Sequence, residues 1–191
     1  GRIIMFGTGK YLEPGDRGLT GVPTQSFYGV RDYGPSSANY PIQASQLQLQ
    51  TLTKTTGTPS TFTVTNNPVA ASSRGWRINL LDLGERSVTA AGAVFSQGMA
   101  IFSTVIPNGD DPCAPALRGN LYFLGGANGA APAVDRNGDG IVNATDASSP
   151  IGTSVPQAFS EGTPSTMIPP GGGLGTLADY AQSVPTTVWR R

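Results

Sequence analysis

The chain has 191 residues, of which 13% are charged, and its twelve basic and twelve acidic side chains are scattered to a formal net charge of zero. No basic stripe is present to displace counterions from a phosphate backbone, so nucleic acid is excluded as a partner. The two lysines, Lys10 and Lys54, belong to no basic amphipathic face, and no apolar run reaches the length of a membrane span, so neither surface binding nor direct membrane insertion has a basis here.

No histidine occurs. Serine or cysteine triads of the familiar kind are therefore excluded, and zinc would have almost no ligands. The single Cys113 reads either as a buried thiol or as half of a disulfide to a cysteine outside this chain. The 26 glycines and 16 prolines break helices, while the 38% hydrophobic content suffices for a core, a mixture that predicts an all-β fold of short strands joined by turns.

Arg2-Ile3-Ile4-Met5-Phe6 opens the chain on strand-like residues without an initiator methionine, which predicts a fragment or processed product. Residues 3–7 and 25–30 read as the first two strands. The run 46–53 (QLQLQTLT) alternates with period two, as does 61–65 (TFTVT), and Thr56-Gly57-Thr58-Pro59 between them predicts a hairpin. Trp76, Ile78 and Leu80 alternate again. Residues 87–106 hold two or three strands, ending in the apolar run 99–106, and 120–124 (NLYFL) forms another before Gly125-Gly126. Beyond Ser148 the prolines and glycines predict loop, apart from a short helix at 177–182 and a terminal strand near Val188-Trp189.

The chemistry concentrates in Asp135–Asp146, DRNGDGIVNATD. Calcium takes six to eight oxygen ligands at about 2.3–2.6 Å, and a twelve-residue loop supplies them from positions 1, 3, 5, 7, 9 and 12 with glycine at 6. Those positions are Asp135, Asn137, Asp139, Ile141 (through its carbonyl), Asn143 (directly or through water) and Asp146, with Gly140 at the reversal. Alternate side chains turn inward around the ion, and Gly140 supplies the left-handed residue. Val142 is expected to anchor the loop in the core. Three carboxylates and two amides imply an affinity of roughly 10⁻⁵ to 10⁻³ M. Gly126 to Pro132 on one side and Ser148-Ser149-Pro150 on the other leave no room for flanking helices. The prediction is an EF-hand-like calcium loop inserted between strands. It resembles the dockerin loop, without that family's duplication or following helix.

Other patterns carry less. Gly7-Thr8-Gly9-Lys10 lacks the earlier glycine of a phosphate loop, and Gly171-Gly172-Gly173-Leu174-Gly175 lacks dinucleotide spacing; both read as turns. Asp110-Asp111 and the pair Asp82/Glu85 read as solvated turn residues. Trp76 and Trp189 read as core or interface packing. No catalytic constellation emerges, and the chain is predicted not to be an enzyme.

The segments GRIIMFGTGKYLE, TQSFYGVRD, RGWRINL, GERSVTAAGAVFSQGMAIFSTVIP and DPCAPALRGNLYFLGG, in that order and spacing, resemble the C-terminal β-propeller of the PilY1/PilC family of type IV pilus assembly proteins and tip adhesins. The similarity covers roughly residues 2–33 and 74–146, with Gly7-Thr8-Gly9-Lys10-Tyr11, Gly84-Glu85-Arg86 and Asp111-Pro112-Cys113 its most specific pieces. It implies that residues 1–191 form the C-terminal portion of a single modified β-propeller, about half of one, carrying the calcium loop at 135–146. It implies an extracytoplasmic place, whether pilus tip, cell surface, outer membrane or periplasm, and calcium sensitivity linked to pilus extension and retraction. The partners it implies are the remaining blades or N-terminal region of the same protein, pilin or minor pilins, and a host or surface ligand. The competing reading is a calcium-stabilised, non-catalytic portion of a secreted hydrolase or lyase.

Overall fold

A computed structural model of the chain describes residues 2–36, 40–55, 62–94, 98–107, 118–133, 135 and 140–153. Among these residues ten strands follow one another: β1 (Arg2–Gly7), β2 (Ser26–Asp32), β3 (Gln48–Gln50), β4 (Leu52–Lys54), β5 (Phe62–Val64), β6 (Gly75–Asn79), β7 (Gly92–Val94), β8 (Met99–Ser103), β9 (Arg118–Gly125) and β10 (Ser148–Thr153). Single turns of 3-10 helix interrupt them at Pro14–Arg17, Ala44–Gln46 and Ala144–Ala147. Among the described residues no helix is long and apolar enough to cross a membrane.

The strands form two four-stranded sheets and a hairpin. The first sheet runs β1-β2-β6-β3, the second β10-β9-β8-β7, and β4 pairs with β5. All pairings are antiparallel except β3 with β6, which is parallel with Gln48 opposite Trp76. The alternating run 46–53 is thus two strands. Gln48–Gln50 joins the first sheet, and Leu52–Lys54 enters the hairpin opposite Phe62–Val64. The chain beyond Ser148, expected as loop, instead continues as β10 at the edge of the second sheet, with Ser148 opposite Tyr122. Pro150 cannot donate to a ladder, and an edge position tolerates that; the register shifts between Pro150 and Thr153.

Aromatic side chains tie the three units together. Phe27 of the first sheet stacks on Phe102 of the second at 3.7 Å between centroids, and Phe102 continues to Tyr122 at 4.9 Å. Tyr122 meets Phe62 of the hairpin at 5.7 Å, and Phe27 leans on Trp76 at 6.1 Å. All five are fully or almost fully buried, as are Ile78, Leu80 and Leu124 around them. Trp76 is therefore core, as expected. Its ring lies between two glycines, Gly29 and Gly129, where any added Cβ would collide with the indole.

Arg86, also buried, donates to the carbonyls of Lys10, Asp16 and Gly18 and so folds residues 10–18 around itself. Within that loop the Asp16 carboxylate accepts from the amides of Leu12 and Glu13 at 2.9 and 3.0 Å, contacts that hold its pKa below the usual carboxylate value. Lys10 pairs with Glu13 and Asp16. Gly7 closes β1 and the Thr8 amide still reaches the Ser26 carbonyl at 2.9 Å, so residues 7–10 run on from the strand and do not form the expected turn, and Lys10 is engaged by the loop that follows.

Candidate metal centre

Two anchors fix the approach to the Asp135–Asp146 loop. After β9 the chain turns sharply, with the Gly129 amide donating to the Gly125 carbonyl at 2.7 Å and the Gly125 amide to the Ala130 carbonyl at 2.8 Å. Trp76 Nε1 donates to the Gly126 carbonyl at 2.9 Å, and Gln50 Nε2, fully buried, donates to the Asn128 carbonyl at 2.9 Å. The first sheet thereby grips the chain nine residues before the loop begins. At the far end the 3-10 turn Ala144–Ala147 packs Ala147 into the main core and leads directly into β10.

Inside the loop, Gly140 has φ +81°, a left-handed conformation that side-chain-bearing residues rarely adopt. Its amide donates to Asp135 Oδ2 at 2.8 Å, which bends the chain back over the first carboxylate. The Asn143 amide donates to Asp146 Oδ2 at 2.8 Å, and the Thr145 amide to Asn143 Oδ1 at 2.7 Å. Position 6 is thus folded onto position 1, and position 9 onto position 12. Asp146 is buried at 1% exposure. Asn137 and Asp139 lie outside the described residues, so of the six proposed ligands the structure places Asp135, Ile141, Asn143 and Asp146. Among the described residues no three His, Cys, Asp or Glu side chains form one group. The donors placed are all oxygen, from two carboxylates, an amide and a carbonyl, and this hard set fits calcium and suits zinc or copper poorly.

One detail overturns an expectation. Val142 is 54% exposed and Ile141 61% exposed, so position 8 does not anchor the loop. Ala147, one residue past the twelfth position, does so instead.

A second carboxylate site lies elsewhere, and here too the sequence reading needs correction. Glu85, expected to be solvated with Asp82, is 1% exposed. Its Oε1 accepts from Thr104 Oγ1 at 2.6 Å, Asn120 Nδ2 at 2.8 Å and the Tyr122 hydroxyl at 3.0 Å, while Oε2 accepts from the Asp82 amide at 3.2 Å. Burial pushes the Glu85 carboxyl above its ordinary value, opposed by the hydrogen bonds from Thr104 and Asn120. Burial, reinforced by the neighbouring Glu85 charge, likewise drives the Tyr122 phenol well up. Asp82 receives Lys54 Nζ at 2.6 Å, linking the turn to the hairpin. A signal for this cluster was present in β9. Its six middle residues are all buried, so Asn120 and the Tyr122 hydroxyl each required a polar partner.

No family model matches the chain. Type IV pilus biogenesis factor PilY1 of Pseudomonas aeruginosa strain UCBPP-PA14 is 28% identical over 207 aligned positions, covering 93% of this chain and 17% of that protein. PilY1 of strains PAO1 and PAK is 27% identical over 147 positions, covering 65% of this chain and 12% of each relative. In fold, the crystal structure of the P. aeruginosa PilY1 C-terminal domain superposes with a TM-score of 0.55 at 22% identity, over 74% of this chain and 32% of that one. The chain is thus similar to PilY1 along most of its length. It spans 12–17% of the length of these PilY1 relatives and about a third of the solved PilY1 domain. The all-β fold agrees with that of the PilY1 C-terminal domain.

Proposed function

We propose that the protein is a calcium-binding β-module of a PilY1-type pilus biogenesis factor and tip adhesin, working outside the cytoplasm by presenting surfaces rather than by catalysis. The observation that carries this reading is sequence similarity to PilY1 along 93% of the chain, joined to a loop whose Gly140 and Asn143 amides set the carboxylates of Asp135 and Asp146. Asp135, Asn137, Asp139, the Ile141 carbonyl, Asn143 and Asp146 hold the ion. The chain belongs to a larger modified propeller and contacts its remaining blades, together with pilin or minor pilins and a surface ligand.

Calcium supplies charge neutralisation and order, not a chemical step. Three carboxylates within twelve residues repel one another when the ion is absent. The loop spans from a turn gripped by Trp76 and Gln50 to β10, so its ordering couples the first sheet to the edge of the second. Pilus extension, retraction and attachment then respond to calcium through a population shift in this segment. The test compares surface piliation and attachment of cells carrying wild type or Asp139→Ala, with and without a calcium chelator. The variant protein is expected at normal abundance but without the calcium response; an undiminished response would show the loop to be purely structural.

A further inference from the structure

One end of the first sheet gathers two tyrosines, two arginines and a carboxylate on a fixed frame. Antiparallel pairing brings the start of β1, the end of β2 and the start of β6 to this end, with Arg2 opposite Asp32. Arg74, just before β6, is pinned through its backbone: its amide donates to the Gln46 carbonyl at 2.9 Å, and its carbonyl accepts from the Arg31 amide at 2.8 Å. The Arg74 guanidinium lies over the Tyr33 ring at 4.6 Å from its centroid and 6.0 Å from that of Tyr40. Both rings reach solvent, Tyr33 at 50% and Tyr40 at 45% exposure. The Gly34 amide and the Tyr40 hydroxyl both donate to Asp32 Oδ1 at 2.8 Å, contacts that hold the Asp32 carboxyl below its ordinary pKa. Asp32 Oδ2 accepts no hydrogen bond among the described residues.

Each group here offers a different kind of contact. Stacking occupies the flat face of a guanidinium and consumes none of its five N–H donors. Exposed cation–π contacts add little to stability, so folding alone gives little reason to hold two half-exposed rings around one cation. Arg31 is engaged by the carbonyls of Ala70 and Ser73, which leaves Arg2 and Arg74 against the single charge of Asp32. The acidic residues Glu13 and Asp16 follow the other end of β1. A purely apolar ligand would desolvate these charges without pairing them, and a simple anion would leave the rings and Asp32 Oδ2 unused. A sugar ring bearing a carboxylate supplies all the counterparts: C–H groups for the aromatic faces, an anion for arginine and hydroxyls for a carboxylate oxygen.

We propose that Tyr33, Tyr40, Arg74, Asp32 and Arg2 form a binding site for an acidic saccharide of the uronic acid type. The tyrosine rings take the C–H face of the sugar, Arg74 and Arg2 bind its carboxylate, and Asp32 Oδ2 accepts from a hydroxyl. As the ligand through which the module attaches to a surface, this sugar rests on the PilY1-type adhesin reading; binding itself is measured without pili.

The test is an NMR titration of the chain with the disaccharide cellobiouronic acid. Cellobiose, which lacks only the carboxylate, and acetate, which lacks the sugar, are titrated beside it. Wild type is expected to bind the uronate saturably and at least about tenfold more tightly than either control, with shifts centred on residues 32–40 and 74. Arg74→Gln and Asp32→Asn should each weaken uronate binding by about tenfold or more, and Tyr33→Ala should weaken both sugars together. Arg74→Lys keeps the charge but loses the flat, forked geometry, so its affinity should fall between wild type and Arg74→Gln. Melting temperature checks that each variant is folded; if Arg74→Gln is not, Asp32→Asn and Arg74→Lys decide. No saturable uronate binding overturns the proposal, as does undiminished binding in the folded variants. Cellobiose binding as tightly as the uronate overturns it, and so does acetate doing so, which would make the cluster a simple anion contact. Uronate binding that Arg74→Gln abolishes, in cells that still attach like wild type, supports the site and counts against the adhesin reading alone.

Discussion

Glu85 and the Asp135–Asp146 loop both carry carboxylates close together in sequence, and they are built oppositely. Around Glu85 the protein supplies the donors itself: a hydroxyl, an amide and a phenol on one oxygen and a backbone amide on the other. In the loop, amides of the same short segment touch Asp135 and Asp146 and fix their direction, while the other proposed ligands are the Asp139 carboxylate, the Ile141 carbonyl and the amide oxygens of Asn137 and Asn143. A carboxylate surrounded by donors is a structural tie. Carboxylates set among further acceptors would call for a cation, which is the calcium proposal made for the loop. Residue type does not distinguish the two; the sign of the neighbours does.

The contrast predicts which changes hurt folding and which hurt only the response to calcium. The largest effect is expected from Glu85→Ala, which leaves the buried Tyr122 hydroxyl without its acceptor and weakens the ties to Thr104 and Asn120. Unfolding free energy should fall by about 3 kcal/mol, equally with and without calcium, as read by denaturant titration. Next comes the ion itself. A hundredfold excess of calcium over its Kd stabilises the folded chain by about 2.7 kcal/mol, so chelation should lower the melting temperature of wild type and leave Asp135→Ala unchanged.

The pH dependence sharpens the same comparison. The folded Glu85 carboxyl is raised, so its contribution is full below the ordinary value of 4.5 and is lost as pH rises through the folded value. Glu85→Gln removes that titration, and the stability advantage of wild type over this variant should therefore shrink from acid toward neutral pH in paired melting curves. Asp16 works in the opposite sense. Its lowered carboxyl adds stability above the ordinary value of 3.8, lost as pH falls through the folded value. The smallest effect belongs to Val142→Ser. With the side chain 54% exposed, stability should change by no more than about 0.5 kcal/mol, whereas an anchoring valine would lose several times as much.

Local pattern made most of the strands legible. Period-two alternation located β5 and β6, strand-forming residues bounded by turns located β1, β2 and β9, and the β4–β5 pairing followed from two alternating runs around a turn. Sheet membership was not legible, because it is decided across the chain. Nothing in QLQLQTLT announces that Gln50 ends one sheet and Leu52 begins another, or that β3 runs parallel to β6. β10 was hidden by Ser148, Ser149 and Pro150, poor strand formers that an edge accommodates. Glu85 was hidden by its turn, and only the polar residues inside fully buried β9 hinted at it.

In the loop, spacing supplied the proposed ligand positions, since calcium motifs are written in local order. The anchor was misassigned because the side chain nearest the motif, Val142, is more apolar than Ala147, yet Ala147 is the one placed in the core. Expectations for Cys113, Asp110-Asp111, Gly171–Gly175, the 177–182 helix and Trp189 lie outside the described residues.

Calorimetric titration of calcium into residues 1–191 and into the Asp135→Ala and Asp139→Ala variants tests the calcium assignment most directly. Wild type is expected to bind one ion per chain with a Kd of roughly 10⁻⁵ to 10⁻³ M. Each variant, having lost a charged inner-sphere oxygen, should show no binding in that range while remaining folded. Undiminished binding in both variants would contradict the assignment of Asp135–Asp146 as the calcium site.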